Sequence, residues 1–328
     1  MKKKILAAVV AATMVLSLAA CGQTPASGSG AGNSSGGPIK VGIINNDPNE
    51  SGYRTANDKD LKAMFTAENG YNATFAYGKT NDEQINAAQQ MIQDGVDYLL
   101  LSAADVSGWD SVLKDANDQG IKVILYDRTI DADESLYVAS IVSDMAKEGE
   151  TAANWLKGQN LGEYNIIHIQ GQMGTAAQVG RSGALVDMAN AEGWNIVAQQ
   201  TANWNAEDAQ QIVQSVIDGG TSFNVIYAEN DKMAQGAVAA LDANGITHGV
   251  NGDVVIRGFE TNKWAREELK AGNWNYDGQC NPLQASYLDE IIKKLEAGQT
   301  ISEKTIIMDE KGFDATTITD EDVEKYGI

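Results

Sequence analysis

The sequence predicts an α/β protein whose folded part is two doubly wound parallel sheets, each in its own lobe. Three observations carry this. Glycines that stop helices recur at near-constant spacing, most are followed within a few residues by a short apolar run, and the rhythm breaks once near the middle. Asn69-Gly70, Asp94-Gly95 and Gln119-Gly120 stand 25 residues apart, and Glu192-Gly193, Asp218-Gly219, Asn244-Gly245, Ala271-Gly272 and Ala297-Gly298 follow at 26 or 27. A glycine just past a helix end adopts the left-handed conformation that closes the helix. The β-rich runs include residues 71–77, 96–101, 121–125, 194–198 and 223–227. Between them, Ile85, Ala88, Met91 and Ile92, and again Ile212, Val213, Val216 and Ile217, fall on one face of a helix. Strand, helix, glycine, strand is a run of βα units, which build a parallel sheet covered on both faces. The first block runs from Ile39 to about Ser143 and the second from about Asp144 to Gly272, with the irregular stretch 127–144 between them. A βα run can also close into an eight-strand barrel; the interruption favours two open sheets.

The N-terminal segment sets the cellular address. Lys2-Lys3-Lys4, an apolar run from Ile5 to Leu18 and then Leu18-Ala19-Ala20-Cys21 read as a secretory signal rather than a membrane span. Cysteine directly after the small residues resembles the lipobox of a bacterial lipoprotein. In such a protein the Cys21 thiol is acylated and becomes the new N-terminus. The plainer reading is an ordinary cleaved signal with an incidental cysteine. Residues 22–38, from Gly22 to Pro38, are almost wholly small and polar. They cannot bury enough apolar surface to fold and behave as a flexible coil. Their glycines follow no strand and open no helix, so they form no phosphate loop. Residues 1–21 are thus expected to be a signal and lipobox, 22–38 a linker, and the folded body to begin near Ile39.

Charge and cysteine content narrow the classes of function. The chain has 24 basic and 45 acidic residues, and loss of the three signal lysines leaves about −24. An acidic surface of that size argues against nucleic acid and against lying flat on anionic lipid. Cys280 is the one cysteine besides Cys21, so the body holds no disulfide. It is expected to be a small buried apolar side chain. With only His168 and His248 beside it, neither a zinc site nor a cysteine–histidine pair is expected, and no cofactor is implied.

In open parallel sheets, ligands bind beyond the carboxyl ends of the strands. Those ends carry Asn45 to Arg54, Tyr126-Asp127-Arg128, Gln170-Gly171-Gln172 with Arg181 on the next helix, Asn203-Trp204-Asn205, Glu229-Asn230-Asp231 and Phe259-Glu260. They contain no Ser-His-Asp set and no metal cluster. Adjacent sugar hydroxyls are best met by planar two-pronged groups, and the C–H face of a sugar by an aromatic ring. Singly, each feature has a plain structural role: Asp127-Arg128 as a turn with a surface ion pair, Asn230 as a helix cap, Trp204 as core. Their recurrence at strand ends in both blocks points to a sugar.

At these residues the chain resembles a type I solute-binding protein of a bacterial sugar ABC transporter. It is closest to the galactofuranose-binding branch, with ribose-binding proteins as a wider circle. The carrying segments are SGYRTAND at 51–58, SGWDSVLKDANDQGIKVILYDRTID at 107–131, AENDKMAQGAV at 228–238 and GQCNP at 278–282. The resemblance implies two α/β lobes joined by a three-crossover hinge: 39–143 plus 280–308, and 144–279 plus 309–328. Hinge points are expected near Ser143-Asp144, Gly278-Gln279 and 306–310. By position it implies ligand contacts from Tyr53, Arg54, Asp127, Arg128, Arg181, Trp204, Asn230, Glu260 and Gln279. Asn49 and Glu50, in an apparent insertion at 45–50, are added as pocket-wall residues. Tyr53 replaces a tryptophan of that branch, and Glu260 replaces the usual aspartate.

The implied function is capture of a monosaccharide, a furanose-form hexose such as galactofuranose or a pentose, for delivery to an ABC permease. The protein is expected to be a monomer, lipid-anchored on the extracellular face of the cell membrane (the periplasmic side if there is an outer membrane), and to catalyse nothing. A sugar receptor for a chemotaxis or sensor-kinase system fits the same residues. A nucleotide enzyme would need closer glycines than Gln170 to Gly174 provide, and a repressor would need a basic helix-turn-helix where the signal and linker stand.

Overall fold

A computed structural model describes residues 37–327; the signal, Cys21 and most of the linker lie outside them. The first sheet holds β1 (Ile39–Asn45), β2 (Tyr71–Tyr77), β3 (Tyr98–Leu101), β4 (Lys122–Asp127) and β5 (Ala139–Val142). Its helices are α1 (Gly52–Met64), α2 (Asn81–Gln93) and α3 (Asp110–Asp118). The second lobe runs α4 (Met145–Lys157), β6 (Asn165–Gln170), α5 (Ala176–Glu192), β7 (Asn195–Thr201), α6 (Ala206–Asp218), β8 (Val225–Ala228), α7 (Asp231–Ala243), β9 (Val255–Phe259), α8 (Lys263–Ala271) and β10 (Tyr276–Gly278). Then α9 (Ala285–Glu296) and β11 (Thr305–Ile307) belong to the first lobe, and β12 (Gly312–Asp314) and α10 (Asp320–Tyr326) to the second.

The strand orders are β11-β5-β4-β3-β1-β2 and β12-β10-β9-β8-β6-β7. Each lobe therefore winds its first five strands in the same order, 2-1-3-4-5, and takes a sixth from chain beyond the other lobe. β11 pairs parallel with β5, and β12 antiparallel with β10. The chain passes between lobes three times: from β5 to α4, from β10 to α9, and from β11 to β12. Parallel strands covered on both faces must be apolar throughout. β3 and β5 are buried at every residue, and two apolar clusters flank each sheet.

Two expectations are corrected. The stretch 127–144 is not irregular throughout, because Ala139 to Val142 form the buried strand β5. After α6 the left-handed position is Gly220 (φ 67°), one residue later than expected, while Gly219 is right-handed (φ −73°). The other helix-stop glycines, from Gly70 to Gly298, have positive φ.

Candidate functional site

The carboxyl ends of the strands in both lobes meet at one cavity. Glu50, Tyr53, Arg54, Asp127 and Arg128 of the first lobe face Arg181, Trp204 and Glu260 of the second, with Met145, Ala177 and Cys280 completing the wall. The empty space between these atoms is about 280 Å³, of which about 10 Å³ is wide enough for the centre of a water molecule. That is room for about one water, so a larger ligand is admitted only when the lobes part. They touch at the rim: Lys232 Nζ donates to the Glu50 carbonyl (3.2 Å) and Val106 N to the Gly174 carbonyl (3.4 Å). Gly52 lies so close to Asn262 that a Cβ there would sit 1.5 Å from its side-chain oxygen.

The first-lobe half starts at a helix N-terminus. Ser51 caps α1, its hydroxyl accepting from Arg54 N, which puts Tyr53 and Arg54 in the first turn beside the end of β4. Asp127 there is 1% exposed and left-handed (φ 65°). Its Oδ1 accepts from Tyr53 Oη (2.7 Å), and its Oδ2 from Arg54 Nη1 (2.6 Å) and Ser102 Oγ (2.6 Å). Burial alone would push the Asp127 carboxyl up, but Arg54 and Arg128 outweigh it and hold it below its ordinary value. Asp127 and Arg128 are therefore no surface turn. Asp127's close partner is Arg54, since Arg128 Nε stands 3.6 Å away. Arg128 Nη1 instead donates to the Ala103 carbonyl (3.1 Å), and its buried Nε has no hydrogen-bond partner.

The second-lobe half is held from beneath. Arg181 donates through Nε and Nη2 to Glu148 Oε2 (2.8 and 2.7 Å) and through Nη1 to the Glu229 carbonyl (2.7 Å). Glu229 Oε2 accepts from Gly171 N (2.7 Å) and its Oε1 meets His168 Nε2 (2.8 Å), so His168 belongs to the scaffold. Gly171 faces the Trp204 ring, where a Cβ would come within 1.9 Å. Gly171, in the segment whose glycines are too widely spaced for a nucleotide loop, is the seat of Trp204. Trp204 (φ 66°) and Glu260 (φ 99°) are left-handed, and the buried Trp204 Nε1 and Glu260 Oε2 have no hydrogen-bond partner. Backbone held in such regions costs of order 1–3 kcal/mol and clusters at binding sites. Burial pushes the Glu260 carboxyl up to about 8, although Arg181 and Arg54 draw it down.

Three of the expected residues do not line the cavity. Asn49 is exposed and bonds Asp47 (3.1 Å). Asn230 caps α7, its Oδ1 accepting from Met233 N (2.8 Å), while its Nδ2 is buried without a partner. Gln279 faces a second hollow, of about 700 Å³, outside the hinge. Conversely, Ser102, Glu148, Met145, Ala177 and Cys280 were not among the expected contacts. Glu148 could have been found, because it sits at a core position in the α4 stripe of Met145, Ala152 and Leu156. Cys280 is buried as expected but also forms part of the cavity wall.

Two similar lobes, linked by three crossovers and presenting charged and aromatic groups across a cleft, define a binding protein for a small polar solute. The chain belongs to the periplasmic binding protein domain family, which matches residues 41–299. Membership makes it an extracytoplasmic solute-binding protein and not an enzyme. It is 31% identical over 323 residues to the fructose import binding protein FruE of Bifidobacterium longum, covering 96% of this chain and 95% of that protein. It is 27% identical to the galactofuranose-binding protein YtfQ of Escherichia coli K12, covering 81% and 85%. A Mycobacterium smegmatis structure in complex with β-D-fucofuranose matches with a TM-score of 0.79 at 30% identity, covering 85% of this chain and 92% of that one.

Proposed function

We propose that this protein captures a monosaccharide in its furanose form and delivers it to an ABC permease, working as a monomer tethered to the outer face of the cell membrane by a lipid on Cys21. One observation carries the reading: Asp127, Arg54 and Arg128 face Arg181, Trp204 and Glu260 across a single cavity. Guanidinium and carboxylate groups suit vicinal hydroxyls, and the Trp204 ring suits a C–H face. Unpartnered polar atoms on Arg128, Trp204 and Glu260 are donors and an acceptor of the kind a polyhydroxy ligand completes. The similar proteins named for galactofuranose and fucofuranose support a furanose over a pyranose. Incubating the purified protein with D-fructose, D-ribose, L-arabinose and D-galactose should raise its melting temperature with at least one of them, because a ligand of the folded state stabilises by mass action. That sugar should be recovered unchanged. A flat response across a broad furanose-forming panel would sink the reading.

A further inference from the structure

One carboxyl touches all three crossovers. Glu310 lies on the third, between β11 and β12. Its Oε1 accepts from Ser143 Oγ on the first crossover (2.8 Å) and from the backbone N–H of Asn281 on the second (2.5 Å). Beside it stands Glu148 on α4, whose Oε2 is taken up by Arg181 and whose Oε1 is buried with no N–H donor. One oxygen of each carboxyl and Cys280 Sγ lie within 4.8 Å of one another. Two buried carboxylates at such range do not both ionise. A divalent cation is a poor occupant, because the Arg181 guanidinium already sits on Glu148 and burial beside these acids keeps the Cys280 thiol protonated. A proton satisfies every atom. Burial and then Glu148 push the Glu310 carboxyl up to about 9, whereas Arg181 draws Glu148 back towards its ionised form. The proton therefore sits on Glu310 and is donated to Glu148.

We propose that Glu310 is a positioning residue for ligand binding: as a neutral acid it ties the three crossovers in the closed arrangement and, through the proton shared with Glu148, holds Arg181 in the cavity, so that closing over the ligand takes up a proton. This rests on the sugar-binding reading. In this proposal Glu310, which borders the hollow that Asp144, Lys147 and Lys311 also line, leaves Glu148 as the crossovers part, and its carboxyl falls back from its raised value towards the ordinary 4.5. The sign follows. A carboxyl raised in the closed form favours closure fully below about 4.5 and loses that advantage as pH rises to about 9. Within that window, affinity falls by up to about tenfold per pH unit. Glu260, in the cavity, adds a similar trend of its own, so the comparison is with a variant at 310.

Glu310→Gln keeps an acceptor for Ser143 and Asn281 and a donor for Glu148 without a titrating group; Glu310→Ala keeps neither. In thermal unfolding at saturating D-fructose, Glu310→Gln should gain on wild type as pH rises from about 5 to about 9, and Glu310→Ala should be lower throughout. In calorimetry with D-fructose near pH 7.5, using buffers of different ionisation enthalpy, wild type should take up a proton on binding that Glu310→Gln does not. At pH 6 Glu310→Gln should already bind roughly tenfold or more tightly than wild type, and the gap should widen as pH rises. Parallel unfolding profiles for wild type and Glu310→Gln, or equal proton uptake by both, would overturn the proposal. Diverging profiles with no sugar bound by wild type would instead remove the sugar reading and leave the shared proton in place.

Discussion

The two halves of the cavity are prepared differently. In the first lobe, Asp127 is met by Tyr53, Arg54 and Ser102 within a knit cluster. In the second, Arg181 is anchored from behind, but Trp204 and Glu260 each carry a buried polar atom with no partner on a left-handed backbone. Asp127 shares that backbone conformation without the orphaned atoms. Apart from the buried Nε of Arg128, the first half is finished before the ligand arrives, whereas the second is completed by it. A binding protein needs such asymmetry: a ligand shifts the open–closed balance only through its differential affinity for the two states, and unsatisfied groups on the closing lobe supply that difference.

Breaking the finished half should have the largest effect. Asp127→Ala strands Arg54 as an uncompensated buried cation, which costs about 3–5 kcal/mol. The variant should lose measurable sugar binding in calorimetry and melt well below wild type. A variant with unchanged stability would show that the first-lobe cluster is not a unit. The unfinished half should respond to pH instead. Glu260 is raised by burial to about 8, so its contribution to stability is full below its ordinary 4.5 and is lost as pH rises through 8. Glu260→Gln should flatten the fall in ligand-free melting temperature between about pH 5 and 8, by on the order of 2–4 °C for each kcal/mol recovered. An identical pH profile in the variant would place the orphaned oxygen in water. The smallest effect belongs to the rim. A methyl at Gly52 meets Asn262, so Gly52→Ala should hold the lobes slightly apart and weaken binding a few-fold with little loss of stability. Small-angle scattering at saturating sugar should show a larger radius of gyration than wild type; equal radii would mean that Asn262 simply moves aside.

The doubly wound lobes were legible because helix-stop glycines punctuate the chain independently of tertiary context. β5 was not, because Ala139 to Val142 is short and follows an acidic turn-rich stretch that hides its apolar character. Strand ends pointed to most of the cavity, since a parallel sheet puts those positions at one edge. What they did not show was pairing. Arg54 and Asp127 are 73 residues apart, and Arg128, adjacent in sequence, looked the natural partner until α1 was packed against β4. The hinge acids were hidden for the same reason: Glu148 and Glu310 meet only because separate passes of the chain run side by side.

The sixth strand of each sheet bears on the order of events during synthesis. The first lobe's edge strand, Thr305–Ile307, pairs with β5, yet it emerges from the ribosome after all five parallel strands of the second lobe. The lobe that is translated first can close its sheet only after its sister is nearly complete. A nascent chain arrested before β11 would carry β5 as an open sheet edge, the kind of template that recruits foreign strands.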